Sequence, residues 1–243
     1  LQITGGKLFA PSGQINLASV ASSGEVIPNT PGQSADLHVT SFSRLGRIEM
    51  SDGANIQSSG QAGGSVVIRG GQLLVDRSDI GADTRGDVDG STTGVDINVQ
   101  GDAIFTQEAF VSALGHGSGR VGDINIEADN VAIRDGAVFL SRTAGPTDGG
   151  LVKITARDSL IVSGPVSFVG TLTTEQGRNG GDIILSAMEL TVEKGGAVQT
   201  ATDVWTTNQG AGDAGDVVVE AGRVTLRDGG SRLSSITAGA GQG

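Results

Sequence analysis

The chain contains no cysteine and no tyrosine, and only one tryptophan and six phenylalanines occur among its 243 residues. Without cysteine, neither a disulfide framework nor a zinc or iron site built on thiolates can form. Basic residues are also few: 16 Lys and Arg stand against 27 Asp and Glu, a formal net charge of −11. Nucleic acids and anionic lipids bind basic faces, so neither is an expected partner. No run approaches the roughly 20 apolar residues of a membrane helix, so no membrane insertion is expected.

Helical patterns are missing as well, because no window keeps a 3.6-residue apolar period over three turns. Glycine is abundant, at 41 residues, and each glycine inside a helix costs about 0.5–1 kcal/mol relative to alanine. The apolar residues instead alternate at i and i+2, as in Ile124 and Ile126 or Val224 and Leu226. This alternation predicts β-strands with one face turned inward and the other outward.

One sequence motif recurs along the chain. It consists of a Gly-rich stretch, two apolar runs, an Asp-Gly-like turn and a third apolar run. Units of this size cannot bury their own apolar side chains, so the recurrence is typical of a solenoid, in which stacked neighbours form the core. One apolar position of the first run anchors each repeat, and successive anchors lie 27 to 34 residues apart. The anchors are Val66, Ile97, Ile124, Val152, Ile183 and Val217.

Three short strands per repeat, joined by a tight Asp-Gly corner and a longer Gly/Ser/Thr-rich loop, predict one coil of a parallel β-helix. Residues 1–243 then form a single all-β domain with about 30 residues per coil. Equivalent strands of successive coils pair about 4.8 Å apart, so about seven or eight coils form a rod roughly 35–40 Å long.

The alternation also predicts the inward side chains. One coil is expected to supply Ile124, Ile126, Val131, Ile133, Val138 and Leu140. The next coil is expected to stack on them with Val152, Ile154, Leu160, Val162 and Val169. Gly136, Gly195 and Gly229 are expected at one corner of successive coils, at least some with positive φ, where a side chain is strained.

Two N-terminal segments and the repeat carry a resemblance to a known family. The segments are Gly5-Gly-Lys-Leu-Phe-Ala-Pro-Ser-Gly-Gln-Ile-Asn-Leu-Ala-Ser-Val20 and Ile48-Glu-Met-Ser-Asp-Gly-Ala-Asn-Ile-Gln-Ser-Ser-Gly60. Residues 1–60 resemble the end of the secretion domain in filamentous haemagglutinin-type exoproteins, particularly the large cyanobacterial ones. Residues 61–243, with their Gly-Asp-Ile/Val and Asp-Gly-Ala units, resemble the repeat coils that follow that domain.

The resemblance implies a right-handed coil and export of the full-length protein by two-partner secretion through an outer-membrane pore. It also implies a secreted, cell-surface location and a structural or adhesive role, with a host-cell or surface-glycan receptor as partner. It does not imply an enzyme, because the shared motifs are turn glycines and core aliphatics, and no cofactor is expected. A surface-layer component without a ligand of its own is an alternative.

The two ends of the sequence are typical of a segment of a longer protein. The chain begins at Leu1, finishes on the Gly-rich residues 238–243 and lacks the secretion signals of the family. We therefore expect a piece of a longer repeat protein, with the export signals elsewhere. Unpaired end strands can pair with another chain, which predicts weak end-to-end association that salt strengthens.

The tripeptide Arg85-Gly86-Asp87 lies in a loop rich in Gly and Asp and matches the sequence that integrins recognise. Some haemagglutinin-type adhesins carry this tripeptide, so these three residues are the candidate recognition loop. The same tripeptide arises readily by chance in a chain rich in Gly, Asp and Arg. A solvated loop without a receptor is therefore the second interpretation, and the preferred one.

The stretch Gly115-His-Gly-Ser-Gly119 resembles the Gly-His-Gly of β-helical polygalacturonases. A polysaccharide-degrading β-helix enzyme is thus the alternative from another functional class. Such enzymes need clustered carboxylates to donate a proton and to activate water. The chain has no Asp-Asp pair and no Arg-x-Lys, so we interpret His116 as a loop histidine and predict no catalytic residue.

Asp and Gly alternate in residues 83–89 and 212–216. This pattern makes a calcium site a candidate, because calcium takes about six to eight oxygen ligands. The nonapeptide of calcium β-rolls is absent, and corner aspartates more often bond to their own backbone, so no metal site is predicted. Trp205 is a candidate sugar-stacking platform. With aromatic residues at 3%, packing over the coil edge is the preferred interpretation.

Overall fold

The computed structural model describes residues 1–28, 37–174, 177–202 and 212–237. None of these residues is helical, and no helix with the length and apolar character of a membrane span occurs in these ranges. The first strands are β1 Gln2–Thr4, β2 Lys7–Phe9, β3 Gln14–Ala18, β4 Ile27–Pro28, β5 Leu37–His38, β6 Arg47–Ser51, β7 Asn55–Gln57, β8 Ser65–Gly70, β9 Gln72–Asp76 and β10 Asp79–Gly81. The later strands are β11 Thr93–Val99, β12 Asp102–Thr106, β13 Phe110–Gly115, β14 Asp123–Arg134, β15 Val138–Thr143, β16 Val152–Ser163, β17 Phe168–Thr173, β18 Ile183–Glu193, β19 Ala197–Thr202, β20 Val217–Leu226 and β21 Arg232–Thr237.

Apart from the antiparallel pair β4 and β5, these strands form two large parallel sheets. The first sheet has 11 strands: β1, β3, β6, β8, β9, β11, β12, β14, β16, β18 and β20. The second sheet has eight, in the order β2-β7-β10-β13-β15-β17-β19-β21. Each strand of the second sheet comes from the next coil along the chain, so the predicted parallel β-solenoid is confirmed. The handedness of the coil stays a prediction.

The three apolar runs of each coil are present, but their division into strands changes along the chain. In the coils β8–β9–β10 and β11–β12–β13 they are three short strands, as predicted. From β14 onward the first two runs form one strand of 10 to 12 residues. Strand β14 pairs with β11 through its first half and with β12 through its second half. The register with β16 shifts at this point, because Ala128 and Asn130 pair with Ala156 and Ser159, so β16 has one extra residue where earlier coils have a break in the strand.

The pairing register corrects one anchor of the repeat. Val95, not Ile97, pairs with Val66, whereas Ile97 pairs with Ile68 and Ile126. A slip of two residues keeps the same face of a strand, so alternation alone could not distinguish the two positions. The later anchors pair in sequence as predicted: Ile124, Val152, Ile183 and Val217.

The core follows the prediction in the first sheet and at Val169 of the second sheet, which is buried, but departs from it at two other positions of the second sheet. Fully buried as predicted are Ile124, Ile126, Val131 and Ile133, paired with Val152, Ile154, Leu160 and Val162. The prediction for Val138 and Leu140 is wrong: both are half-buried on the outer surface, and Phe139 between them is buried. Phe139 pairs with Val169 and meets Phe105 edge-on, with ring centroids 4.6 Å apart. Three consecutive apolar residues contain no alternation, so the sequence does not indicate which of them faces inward.

The tight corner is confirmed at Gly136 and Gly195, whose φ angles are +83° and +86°. The Gly136 N–H donates to the Oγ of Ser167 in the next coil, at 3.0 Å. At the third predicted position the left-handed glycine is Gly230, with φ +86°, rather than Gly229. Two adjacent glycines satisfy the same sequence pattern, and the pairing of β19 with β21 decides between them.

A short excursion covers part of the solenoid's outer surface near its N-terminal end. Strand β5 lies against β8, and Leu37 and Phe42 of this excursion are buried. The core-facing residues of β8 are Val66 and Ile68. The outward-facing Val67 and Arg69 of the same strand are nevertheless buried as well. The Arg69 guanidinium bonds to Asp96 Oδ2 at 2.6 Å. The N-terminal part of the chain thus carries an additional layer outside the coils.

Candidate recognition surfaces

The candidate recognition tripeptide belongs to a series of loops that lead from the second sheet into the next coil of the first sheet. We call these loops the loop ridge; their described residues are 58–64, 82–92, 116–122, 144–151, 177–182 and 212–216. The loops stack on one another through backbone hydrogen bonds. Arg85 N–H donates to Gly60 O at 2.8 Å, and His116 N–H donates to Thr84 O at 2.9 Å. The parallel ladder of the strands therefore continues into the loop ridge.

Close backbone contact explains the glycines that precede the first apolar run, both in Gly-Asp-Ile/Val units and at Gly150, which Leu151 follows. A Cβ on Gly181 would overlap the carbonyl oxygen of Gly150, and a Cβ on Gly215 would overlap that of Gly181. A Cβ on Gly150 would lie 2.7 Å from the carbonyl oxygen of Gly122. These glycines do not have positive φ, so each is required by the space between coils rather than by its backbone conformation.

Hydroxyl groups inside the solenoid hold the loop ridge from below. Thr200 Oγ1 donates to Gly215 O at 2.6 Å, and Thr173 Oγ1 donates to Asn179 O at 3.1 Å. Both threonines are buried. The buried threonines of the third run therefore supply hydrogen-bond donors to carbonyl groups of the loop ridge, as buried carbonyl groups require.

The structure places the tripeptide within this stack. Arg85 and Asp87 are exposed, whereas Gly86 is tied on both sides: its N–H donates to the preceding coil and its carbonyl accepts from Gly119 at 3.1 Å. Asp87 Oδ1 accepts the N–H of Ser118 at 3.0 Å and its hydroxyl at 2.8 Å. The tripeptide is therefore part of the stack of loops.

The two hydrogen bonds from Ser118, the backbone bond first, hold the pKa of Asp87 below its ordinary value, against a smaller opposing effect of desolvation. The carboxylate is thus ionised at neutral pH and engaged with the next coil. This arrangement favours the interpretation of the tripeptide as a structural loop.

The other aspartates of the same segment bond in the same manner. Asp83 is buried, and its Oδ1 accepts from the Ser112 hydroxyl and the Leu114 N–H, both at 3.0 Å. Asp89 Oδ1 accepts the N–H of Arg120 at 3.0 Å. The alternating Asp/Gly segment thus clamps the coil that follows it. Among the described residues, no group of three or more His, Cys, Asp or Glu side chains could hold a metal ion.

Two shallow concavities lie on the loop ridge. The first, of about 380 Å³, contains the exposed His116, and Asp87 is the one carboxylate among its described lining residues. The second, of about 390 Å³, is lined by Arg120, Asp123, Asp148 and Arg178 among others. Burial raises the pKa of Asp123, although the Leu151 N–H and Arg120 act in the opposite direction. The carboxylates of the two concavities, Asp87, Asp123 and Asp148, therefore already accept hydrogen bonds from the neighbouring coil.

The outer surface of the second sheet is a different candidate, which the sequence analysis assigned in part to the core. We call it the apolar face. Its half-buried side chains are Phe110, Leu114, Val138, Leu140, Phe168 and Leu172. They alternate with fully buried neighbours such as Phe139 and Val169, so they face away from the core.

A groove of about 300 Å³ lies at the C-terminal end of the apolar face. Its walls include Val166, Phe168, Leu172, Ala197, Gln199 and Arg232. The Phe168 ring lies over Gly170, where a Cβ would overlap the ring. Gln199 is buried and accepts the Nε–H of Arg232 at 3.0 Å. The groove therefore combines an aromatic ring, aliphatic walls and one guanidinium fixed by an amide.

Val166, at the rim of the groove, has a strained backbone. Its φ is +69°, in the left-handed region that β-branched residues rarely occupy, and its side chain is 76% exposed. A strained and exposed apolar residue contributes little burial to the fold. By the pairing register, Gly136 and Gly195 hold the equivalent corner position in the neighbouring coils with φ of +83° and +86°, so the conformation of Val166 follows from the turn of the solenoid.

Sequence reasoning missed the groove, although one signal was present. Gly170 interrupts an apolar run directly after Phe168 and Val169, and a glycine inside a strand indicates close approach of another group. Trp205, the predicted aromatic candidate, lies outside the described residues.

Comparison of the chain with models of known protein families, with curated proteins and with solved structures finds no match.

Proposed function

We propose that the chain is a structural and adhesive segment of a secreted, cell-surface exoprotein of the filamentous haemagglutinin type. Its full-length form leaves the cell by two-partner secretion through an outer-membrane pore. The segment acts as a stiff acidic rod that presents its outer surfaces to a host cell or to a surface glycan.

One observation supports this role most directly: the eight-stranded second sheet has one strand from each successive coil, in continuous parallel register. The aliphatic stacks beneath it are fully buried. Because each coil is bonded to the next through strands and loops alike, bending the rod would break many contacts at once. A stiff rod can hold a binding surface away from the membrane to which a longer protein is attached.

The side-chain chemistry of the loop ridge supports a scaffold rather than a catalyst. Its aspartates Asp83, Asp87 and Asp89 accept hydrogen bonds from the neighbouring coil. A hydrolase of polysaccharides needs carboxylates that face the substrate. We therefore expect the purified protein to release no reducing sugar from pectin or alginate. Turnover that disappears in His116→Ala would support the enzyme instead.

Adhesion is tested by coating beads with the 243-residue chain and measuring their retention on cultured cells and on glycan-coated surfaces under flow. The matched control is the variant Gly181→Val, whose coils cannot stack closely. We expect retention by the folded chain and none by the control. Equal retention of the native chain and the control, or retention of neither, would contradict an adhesive role and favour a surface-layer component.

A further inference from the structure

The groove on the second sheet has the composition of a ligand site. Val166 is mostly exposed and strained, and the Phe168 ring covers a glycine on the outer surface instead of joining the core. Strand alternation places the Phe168 ring on the outer surface, where it and Val166 remain accessible to a ligand.

The polar groups of the groove indicate the charge of the ligand. The Nε–H of Arg232 donates a hydrogen bond to Gln199 Oε1, and this bond fixes the direction of the guanidinium. No carboxylate occurs among the described residues that line the groove, in a chain whose net charge is −11. A guanidinium fixed in this way binds a carboxylate by paired hydrogen bonds. The groove is therefore locally suited to an anion.

The apolar walls indicate the remainder of the ligand. The Phe168 ring and the side chains of Val166 and Leu172 offer a flat, solvent-facing apolar surface. The C–H face of a sugar ring packs against such a surface, while its hydroxyl and carboxylate groups reach amide and guanidinium groups at the edge. A volume of about 300 Å³ is at the small end of ligand sites and suits one or two sugar residues.

We propose that the groove formed by Val166, Phe168, Leu172, Gln199 and Arg232 binds an acidic sugar residue of a surface glycan. In this arrangement the ring stacks on Phe168 and the carboxylate bonds to Arg232. The inference deepens the proposed adhesive function and rests on it for the biological role of the ligand, but its chemistry can be tested separately.

The probe is D-glucuronate, with D-glucose as the neutral control and acetate as the control for a bare carboxylate. Binding to the 243-residue chain is measured by saturation-transfer NMR and by titration calorimetry. Glucuronate is expected to bind at least about fivefold more tightly than either control, because only glucuronate engages both the ring and the guanidinium. Equal binding of acetate and glucuronate would mean an adventitious ion only and would overturn the proposal.

Variants separate the groove from general charge. Arg232→Gln is expected to weaken glucuronate binding about fivefold or more. Its matched control, Arg223→Gln, removes the same charge from the first sheet, where Arg223 pairs with Glu189 at 3.3 Å, and should leave binding unchanged. Phe168→Leu should weaken binding while keeping the site apolar. Equal loss in both arginine variants would overturn the proposal.

Val166→Gly distinguishes a binding role from a structural one. Glycine accepts a φ of +69° without strain, so the melting temperature should rise, whereas loss of the apolar rim should weaken glucuronate binding. Its control is Glu108→Gly, at a corner residue with φ +66°, which should raise the melting temperature without changing binding. Unchanged binding in Val166→Gly would count against the site.

Adhesion measurements on the same variants keep the two proposals distinct. If the native chain adheres and Arg232→Gln adheres equally, the groove is not the receptor site and the adhesive function stands. If the native chain binds glucuronate but adheres to nothing, the site stands and the adhesive function fails. Concentration-dependent dimers that Phe168→Leu abolishes, without sugar binding, would show that a second copy occupies the groove.

Discussion

The tight corner and the loop ridge both depend on glycine, but for different physical reasons. At the corner, Gly53 has φ +77° and no heavy atom lies within 4 Å of the position of a Cβ. In the loop ridge, Gly181 does not have positive φ, yet a Cβ would overlap the carbonyl oxygen of Gly150. The corner therefore requires a backbone conformation, and the loop ridge requires space.

This difference determines which substitutions each region tolerates. Residues that adopt the left-handed conformation at moderate cost, such as asparagine, can replace a corner glycine. The corner of β12–β13 shows this directly, because Gln107 and Glu108 occupy it with φ +51° and +66°. In the loop ridge even alanine must displace a backbone, so no side chain is tolerated at Gly181 or Gly215.

The largest expected effect is that of Gly181→Ala. The added methyl group meets the backbone of Gly149 and Gly150 in the preceding coil, so the coils must separate. We expect a loss of about 3 kcal/mol or more in the free energy of unfolding, or about 6–12 °C in Tm. The control is Gly53→Ala, where space is open, and which should cost about 1–2 kcal/mol through backbone strain alone. Thermal melts followed by circular dichroism check both, and equal shifts would mean that the two regions do not differ in this way.

A smaller effect is expected for Gly136→Val at the corner. With φ +83°, a β-branched residue is strained, and Tm should fall by about 2–8 °C, corresponding to about 1–2 kcal/mol. The Tm of Gly136→Asn should fall by less than half as much as that of Gly136→Val, because asparagine tolerates this conformation. If valine and asparagine melt alike, the cost arises from crowding rather than from φ.

The opposite sign is expected for Glu108→Gly. Removing the side chain relieves left-handed strain at φ +66° but adds freedom to the unfolded chain, so the net gain is only about 0.5 kcal/mol, or about 1–2 °C in Tm. Glu108→Ala keeps the strain and serves as control. A lower Tm in the glycine variant would show that the Glu108 side chain contributes a contact that outweighs the strain.

Much of the fold could be predicted because the repeat supplies the same information several times. The stacking of Ile124, Ile126, Val131 and Ile133 on the next coil follows from alternation alone. Alternation cannot show which residue faces inward where consecutive residues are all apolar, as at residues 138–140. It also cannot detect a pairing register that is wrong by two residues, as at Ile97. The division into three strands also failed from β14 onward, since the composition does not indicate whether the first two runs join into one strand.

Less of the candidate sites could be predicted. The tripeptide at residues 85–87 was found by its sequence, but its bonds to Ser118 depend on how neighbouring loops stack. The groove is built from side chains of three coils, and its central ring was one of several apolar residues in a strand. Sequence spacing indicates which residues share a face only after the inward face of the third run is known.

The smallest expected effect concerns Asp87 and the hydrogen bonds between neighbouring loops. Because the folded protein lowers the pKa of this carboxyl, Asp87 stabilises the fold above its ordinary pKa, and the contribution is lost as pH falls through the lowered folded value. Ser118→Ala removes the hydroxyl bond and keeps the backbone N–H, so the Asp87 pKa should move part of the way back up. Ser118→Thr keeps a hydroxyl and should leave it unchanged. Carboxyl carbon shifts recorded by NMR between about pH 2 and 6 span the ordinary range for aspartate and follow the titration directly. An identical titration of Asp87 in the alanine variant would mean that the hydroxyl of Ser118 does not help to hold these two loops together.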